Sequence, residues 1–156
     1  MASFQLVGLP FEPFAPLFAL SDRELSERSA RRVVASGKPG FPCRVSLRDV
    51  EVGEELLLLH YPHQPASSPY KASGPIYVRK GAQQQTLEAG TVPDYVRCRL
   101  MSARAYDAAH MIIDAAVCDG NDVAPEIERM FGNKQVAYIH LHNAKRGCFS
   151  ALVARV

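Results

Sequence analysis

A thiol with an imidazole in reach is the least equipment a protein needs for nucleophilic catalysis. The end of this 156-residue chain, VAYIHLHNAKRGCFSALVARV over residues 136–156, supplies both. Taken as two strands whose side chains alternate between faces, it puts Tyr138, His140 and His142 on one side and Ala137, Ile139 and Leu141 on the other. The returning segment, 148–154, sorts into Cys148, Ser150 and Leu152 against Phe149, Ala151 and Val153. With His142 opposite Cys148, the pairs Leu141/Phe149 and Ile139/Ala151 gather on the far face. That register separates polar from apolar side chains, and a one-residue slip would mix them. Directly opposed residues have Cβ atoms about 4.5–5.5 Å apart, so His142 can serve as base to a Cys148 nucleophile, with His140 binding the substrate. Lys145 and Arg146 in the connecting loop favour a thiolate. Asn143 completes a Cys–His–Asn set by type, but as the neighbour of His142 it points the other way and is assigned to substrate binding.

Two other uses of the same face stay open. His140 and His142 with Cys148, or with a loop histidine, are a zinc-type donor set. No HExxH, CxxC or carboxylate partner accompanies them, so no metal ligand and no cofactor is assigned. The blander use is structural, with hydrogen-bonded core imidazoles and Cys148 as a small core thiol.

Three further residues stand where a shaped loop meets a strand, a common place for functional groups. The run SGKPGFPCRVSL, with two Pro and two Gly, demands a fixed irregular loop feeding a strand over 43–47. Cys43 and Arg44 open that strand as binding residues. Arg44 either clamps an anion or pairs with Asp49 or Glu51 at the surface. His63 follows the apolar run LLLLHY and Pro62, in what reads as a rigid exit loop, and is the remaining binding candidate.

The elements that must position these groups follow from periodicity and punctuation. A first strand is expected at 4–9. Ser21 with Glu24 matches a capping box and starts a short helix. Glu54–Tyr61 reads as a central strand covered on both sides. Val92-Pro93-Asp94 starts a short helix to about Arg99 with Pro at its first position. Strands at 100–106 and 110–117 pair so that Ala105 opposes Met111 and Ala103 opposes Ile113, leaving Arg104 and Asp114 as a diagonal ion pair. A helix at 123–131 stops at Gly132 and leads by a crossover into the terminal hairpin. The sum is an α+β fold: a mixed, mostly antiparallel sheet, two or three short helices, and a C-terminal β-hairpin, within a single globular domain over 1–156.

Composition narrows the partners. The chain carries 18 Lys and Arg against 16 Asp and Glu, a net charge of +2, which points to neither nucleic acid nor an anionic membrane. No segment approaches the length of a membrane span. The scattered Cys43, Cys98, Cys118 and Cys148 read as reduced thiols of a cytoplasmic protein. Thirteen of the basic residues are Arg, the better group for gripping carboxylate or phosphate, although biased genomic base composition gives the same count.

Three stretches then carry a resemblance: KPGFPCRVSL with GEELLLLHYPHQPASSPYKASGPIYVR, RAYD with DAAV and DG, and YIHLHNAKRGCFSALV. Together they resemble the bacterial domain-of-unknown-function family 1203, over nearly the whole chain. The resemblance implies a small stand-alone bacterial protein and brings no activity with it. From the residues, the expectation is a Cys/His pocket acting on or binding a small molecule, anions included. The alternatives are a non-catalytic binding or interaction protein and a His/Cys metal protein.

Overall fold

The computed structural model describes residues 3–156. Ten strands form two five-stranded sheets. Sheet I has the order β1 (Phe4–Val7), β10 (Phe149–Arg155), β9 (Tyr138–Asn143), β7 (Leu100–Tyr106), β8 (Ile112–Asp119) and is antiparallel throughout. Sheet II has the order β2 (Ala30–Val34), β5 (Glu55–Gln64), β6 (Ala72–Arg79), β3 (Pro42–Cys43), β4 (Arg48–Asp49). Its one parallel contact joins Cys43 to Tyr77. With the short helices α1 (Asp22–Glu27), α2 (Asp94–Arg97) and α3 (Val123–Phe131), this is the expected mostly antiparallel α+β fold, ending in the β9–β10 hairpin. Its strands are shared between two sheets.

One face of sheet I is closed by helices. Val123, Ile127, Met130 and Phe131 of α3, with Tyr95 and Val96 of α2, pack on Met101, Ala103, Ile139, Leu141 and Val153. The other face meets sheet II, where Phe149 and Leu152 join a second core with Leu56, Leu57, Ile76 and Val78. The seam between the sheets therefore receives the side of the hairpin that carries its histidines. Since β8 and β9 flank β7 and both run antiparallel to it, the connection through α3 is a crossover.

Local signals explain several boundaries. The Ser21 hydroxyl accepts from the Glu24 amide and Glu24 answers on the Ser21 amide, so the capping box forms. α3 has the expected bounds, but Gly132 keeps a right-handed conformation (φ −58°) and is not the left-handed stop its position suggested. The strand expected from Cys43 to Leu47 ends at Cys43, and a turn carries Arg44 to Leu47. β5 does not stop at Tyr61. It runs through Pro62 and His63 to Gln64, with a register shift between Tyr61 and Gln64 that tolerates a residue without an amide hydrogen. The β7–β8 register also differs from expectation: Ala105 opposes Asp114 and Ala103 opposes Ala116, because the turn at 107–111 is wider than a tight one. Asp114 consequently pairs with Arg129 of α3 at 2.9 Å and not with Arg104.

Gly120 is where a side chain has no room. A Cβ there would meet the Val96 carbonyl at 2.0 Å and the Arg99 carbonyl at 2.7 Å, both backbone. Gly120→Ala is expected to cost about 3 kcal/mol, the upper end of overpacking, and to push α2 away from β8; a lowered urea midpoint with unchanged slope would show it.

Candidate functional site

The hairpin divides the expected site in two. Gly147 supplies the positive φ (78°) expected of the loop, but the strands pair one residue out of the expected register at His142 and two residues out from Leu141 onward. Phe149 opposes His142 and Ala151 opposes Leu141, with a bulge between Phe149 and Ala151. The extra residue, Ser150, places Phe149 on the histidine face, where it fills the seam. Burying an aromatic side chain of that size outweighs one irregular step in the ladder. The expected Cys148–His142 opposition is thereby corrected, because Cys148 lies before the strand and turns outward.

Cys148 lines a cleft of about 500 Å³ between the sheets. Phe41, Pro42, Arg44 and Tyr77 come from the side of sheet II; Leu100, Asn143 and the loop residues Lys145 and Arg146 come from sheet I; Cys98 and Arg99 come from the end of α2. Among the sequence candidates, Arg44, Asn143 and Cys148 are brought together here. The Arg44 Nη2 donates to the Cys148 sulfur at 3.2 Å, and the Asn143 Nδ2 approaches it at 3.5 Å. The Asn143 Oδ1 is buried without a partner.

Arg44 is the unusual member. It is 1% exposed, and its fork is held by the Phe149 carbonyl through Nε at 2.7 Å and the Pro42 carbonyl through Nη1 at 2.6 Å. Both carboxylates expected to neutralise it are engaged elsewhere. Asp49 takes Arg99 in a two-toothed pair at 2.6 and 2.9 Å, and Glu51 takes Lys38. Among the described residues Arg44 has no carboxylate partner. A buried cation without an anion is costly, and a negatively charged group at the cleft floor would offset that cost. Cys43 is fully buried beside it but outside the cleft, its sulfur accepting the Arg79 amide.

His142, His140 and His63 lie in the seam and not in the cleft. The His142 Nδ1 donates to the Gly147 carbonyl at 2.9 Å. Its ring centroid is 4.9 Å from that of His63 and 6.3 Å from that of His140, and the His63 ring stacks on Phe149. Burial is the main cause that holds all three imidazoles neutral, and the Arg104 charge adds to it. The pKa falls to about 3 at His140, where the other two imidazoles also contribute, and to about 4 at His142, where the Gly147 hydrogen bond pulls the other way. A base for the Cys148 thiol is not provided by this arrangement.

Sequence reasoning missed Cys98, Arg99, Phe41 and Tyr77 as cleft walls. Arg99 reaches its place through Asp49, fifty positions away, a pairing no local pattern announces. Among the described residues no helix is long and apolar enough to cross a membrane. A family model described as a protein of unknown function (DUF1203) matches residues 40–155, which include every residue of both the cleft and the histidine cluster. No curated protein and no solved structure matches the chain.

Proposed function

The chain belongs to the DUF1203 family, and from that premise, which carries no activity, we propose that it binds a small organic anion in the Cys148 cleft. The observation that carries this is Arg44, a buried guanidinium without a carboxylate whose free edge touches the cleft sulfur. Lys145 and Arg146, exposed at the rim, add attraction for a carboxylate or phosphate. Phe41 and Tyr77, whose rings lie 5.4 Å apart, offer an apolar wall to the rest of the ligand. The volume suits a small metabolite. The Asn143 Oδ1 is an acceptor awaiting a donor from the ligand.

The Cys148 thiol reports on this directly. Iodoacetate is itself a small carboxylate, and iodoacetamide is its neutral counterpart. The ratio of the two alkylation rates at Cys148 is expected to exceed that of a model thiol by about tenfold in favour of the carboxylate, and to fall with added salt. Charge reversal at the rim, by K145E and R146E together, is expected to erase the preference. Peptide mass spectrometry separates Cys148 from Cys98 in the same cleft. A ratio equal to that of the model thiol would remove the anion site.

A further inference from the structure

We propose that the ligand of the Cys148 cleft is an N-acylated α-amino acid, a carboxylate with a neutral amide N–H on the adjoining carbon. The inference rests on the anion-binding reading above and adds to it the identity of the ligand's second polar group.

The charged side chains of the cleft are all donors. Arg44 lies at the floor, and Lys145 and Arg146 stand exposed at the rim. An ionised Lys or Arg donates hydrogen bonds and accepts none. Arg99 completes the set, but Asp49 already takes it. Among the described residues no Asp or Glu lines the cleft. A ligand that fits this wall brings mostly acceptor atoms.

Asn143 asks for the opposite. Its Nδ2 is directed at the Cys148 sulfur, 3.5 Å away. Its main chain is tied across the loop, the amide donating to the Cys148 carbonyl at 2.9 Å and the carbonyl accepting from Gly147 at 2.7 Å. With the residue held in this way, the Oδ1 is buried without a partner. A carboxamide oxygen only accepts, so the missing partner is a donor. The Arg44 Nη2 approaches the same sulfur at 3.2 Å, so this acceptor and the buried cation meet at one end of the cleft. A ligand that answers both carries its donor next to its carboxylate.

Charge selects the kind of donor. A free ammonium would enter among Arg44, Lys145 and Arg146 with no carboxylate in the wall to receive it, and like charges brought together are repelled. An amide N–H donates without charge, and its acyl oxygen supplies one more acceptor for Lys145 or Arg146. A 2-hydroxy acid also has a neutral donor, but it lacks the acyl arm and leaves more of the cleft, about 500 Å³, unfilled. Phe41 and Tyr77 form the wall for the amino acid's own side chain, which favours an apolar one.

The test uses the full chain and a series of similar shape. Its members are N-acetylleucine, the ester with oxygen in place of its N–H, the plain acid 4-methylpentanoate, and the neutral N-acetylleucine amide. Calorimetry gives the affinities, and slower reaction of Cys148 with iodoacetamide shows that the cleft is where they bind. N-acetylleucine is expected to bind at least about tenfold more tightly than the ester, which leaves the Asn143 Oδ1 unpaired. The neutral amide is expected to bind weakest. In N143L the preference over the ester should vanish, while the preference for the acid over the neutral amide persists. An ester bound by the wild type as tightly as N-acetylleucine overturns the proposal, with or without the variant. So does a plain acid bound equally well, or a preference over the ester that survives in N143L; each of these leaves the anion site standing. Failure of the anion site itself reads differently: no acid slows alkylation at Cys148, and the iodoacetate ratio equals that of the model thiol.

Discussion

Replacing Arg44 with Lys is expected to destabilise the protein by about 4 kcal/mol, and replacing it with Met by only about 2. The order is the informative part. Lys keeps a buried charge but loses the planar fork that reaches the Phe149 carbonyl, the Pro42 carbonyl and the Cys148 sulfur at once. Met leaves the same two carbonyls without donors but also removes the cost of burying a cation with no carboxylate beside it. Urea titrations of the two variants against the wild type measure the difference. Met proving worse than Lys would mean that the buried charge costs little where it lies, and would remove the premise of the anion site. Both variants are expected to lose the iodoacetate preference, R44M completely.

The second large effect is a loss of stability in acid. His140 and His142 titrate near 3 and 4 in the folded chain, against about 6.5 when unfolded. The unfolded chain therefore binds more protons between those limits, and stability falls as pH falls. The contribution is complete above about pH 6.5 and is lost on descending toward pH 4 for His142 and pH 3 for His140. Each pKa unit is worth about 1.4 kcal/mol, so the two together are on the order of 8 kcal/mol at most. In chelator-treated protein, urea midpoints between pH 7 and pH 4 should fall steeply, and H140L should reduce the slope by one proton. An unchanged slope in that variant would mean that His140 is already accessible to protons in the folded state.

Much of the scaffold could be read from the chain, because it rests on local chemistry. The Ser21–Glu24 capping box, the span of α3 and the positive φ of Gly147 each follow from a few neighbouring residues. The site could not be read in the same way. Its layout depends on the bulge at Ser150, which is decided by how well Phe149 fills the space between two sheets. Period-two alternation assumes an unbroken ladder, so it grouped Cys148 with the histidines. Pro62 misled in a similar way: as a breaker it argued for a loop, yet the register shift after Tyr61 lets β5 continue and brings His63 into the seam. The claim of Arg99 on Asp49, which leaves Arg44 without a counter-charge, spans fifty residues of chain. Such competition among partners is decided only by the completed fold.

Arg44 also reaches across the seam, from the β3 side of sheet II to a carbonyl of β10 in sheet I. Any molecule that settles against it is gripped by both halves of the fold at once, and so acts as a fastener. At a thousandfold excess over its dissociation constant a ligand adds about 4 kcal/mol to the folded state. A melting-temperature screen of small acids is therefore a direct test of the proposed anion site, and a screen in which none raises the melting temperature would count against it.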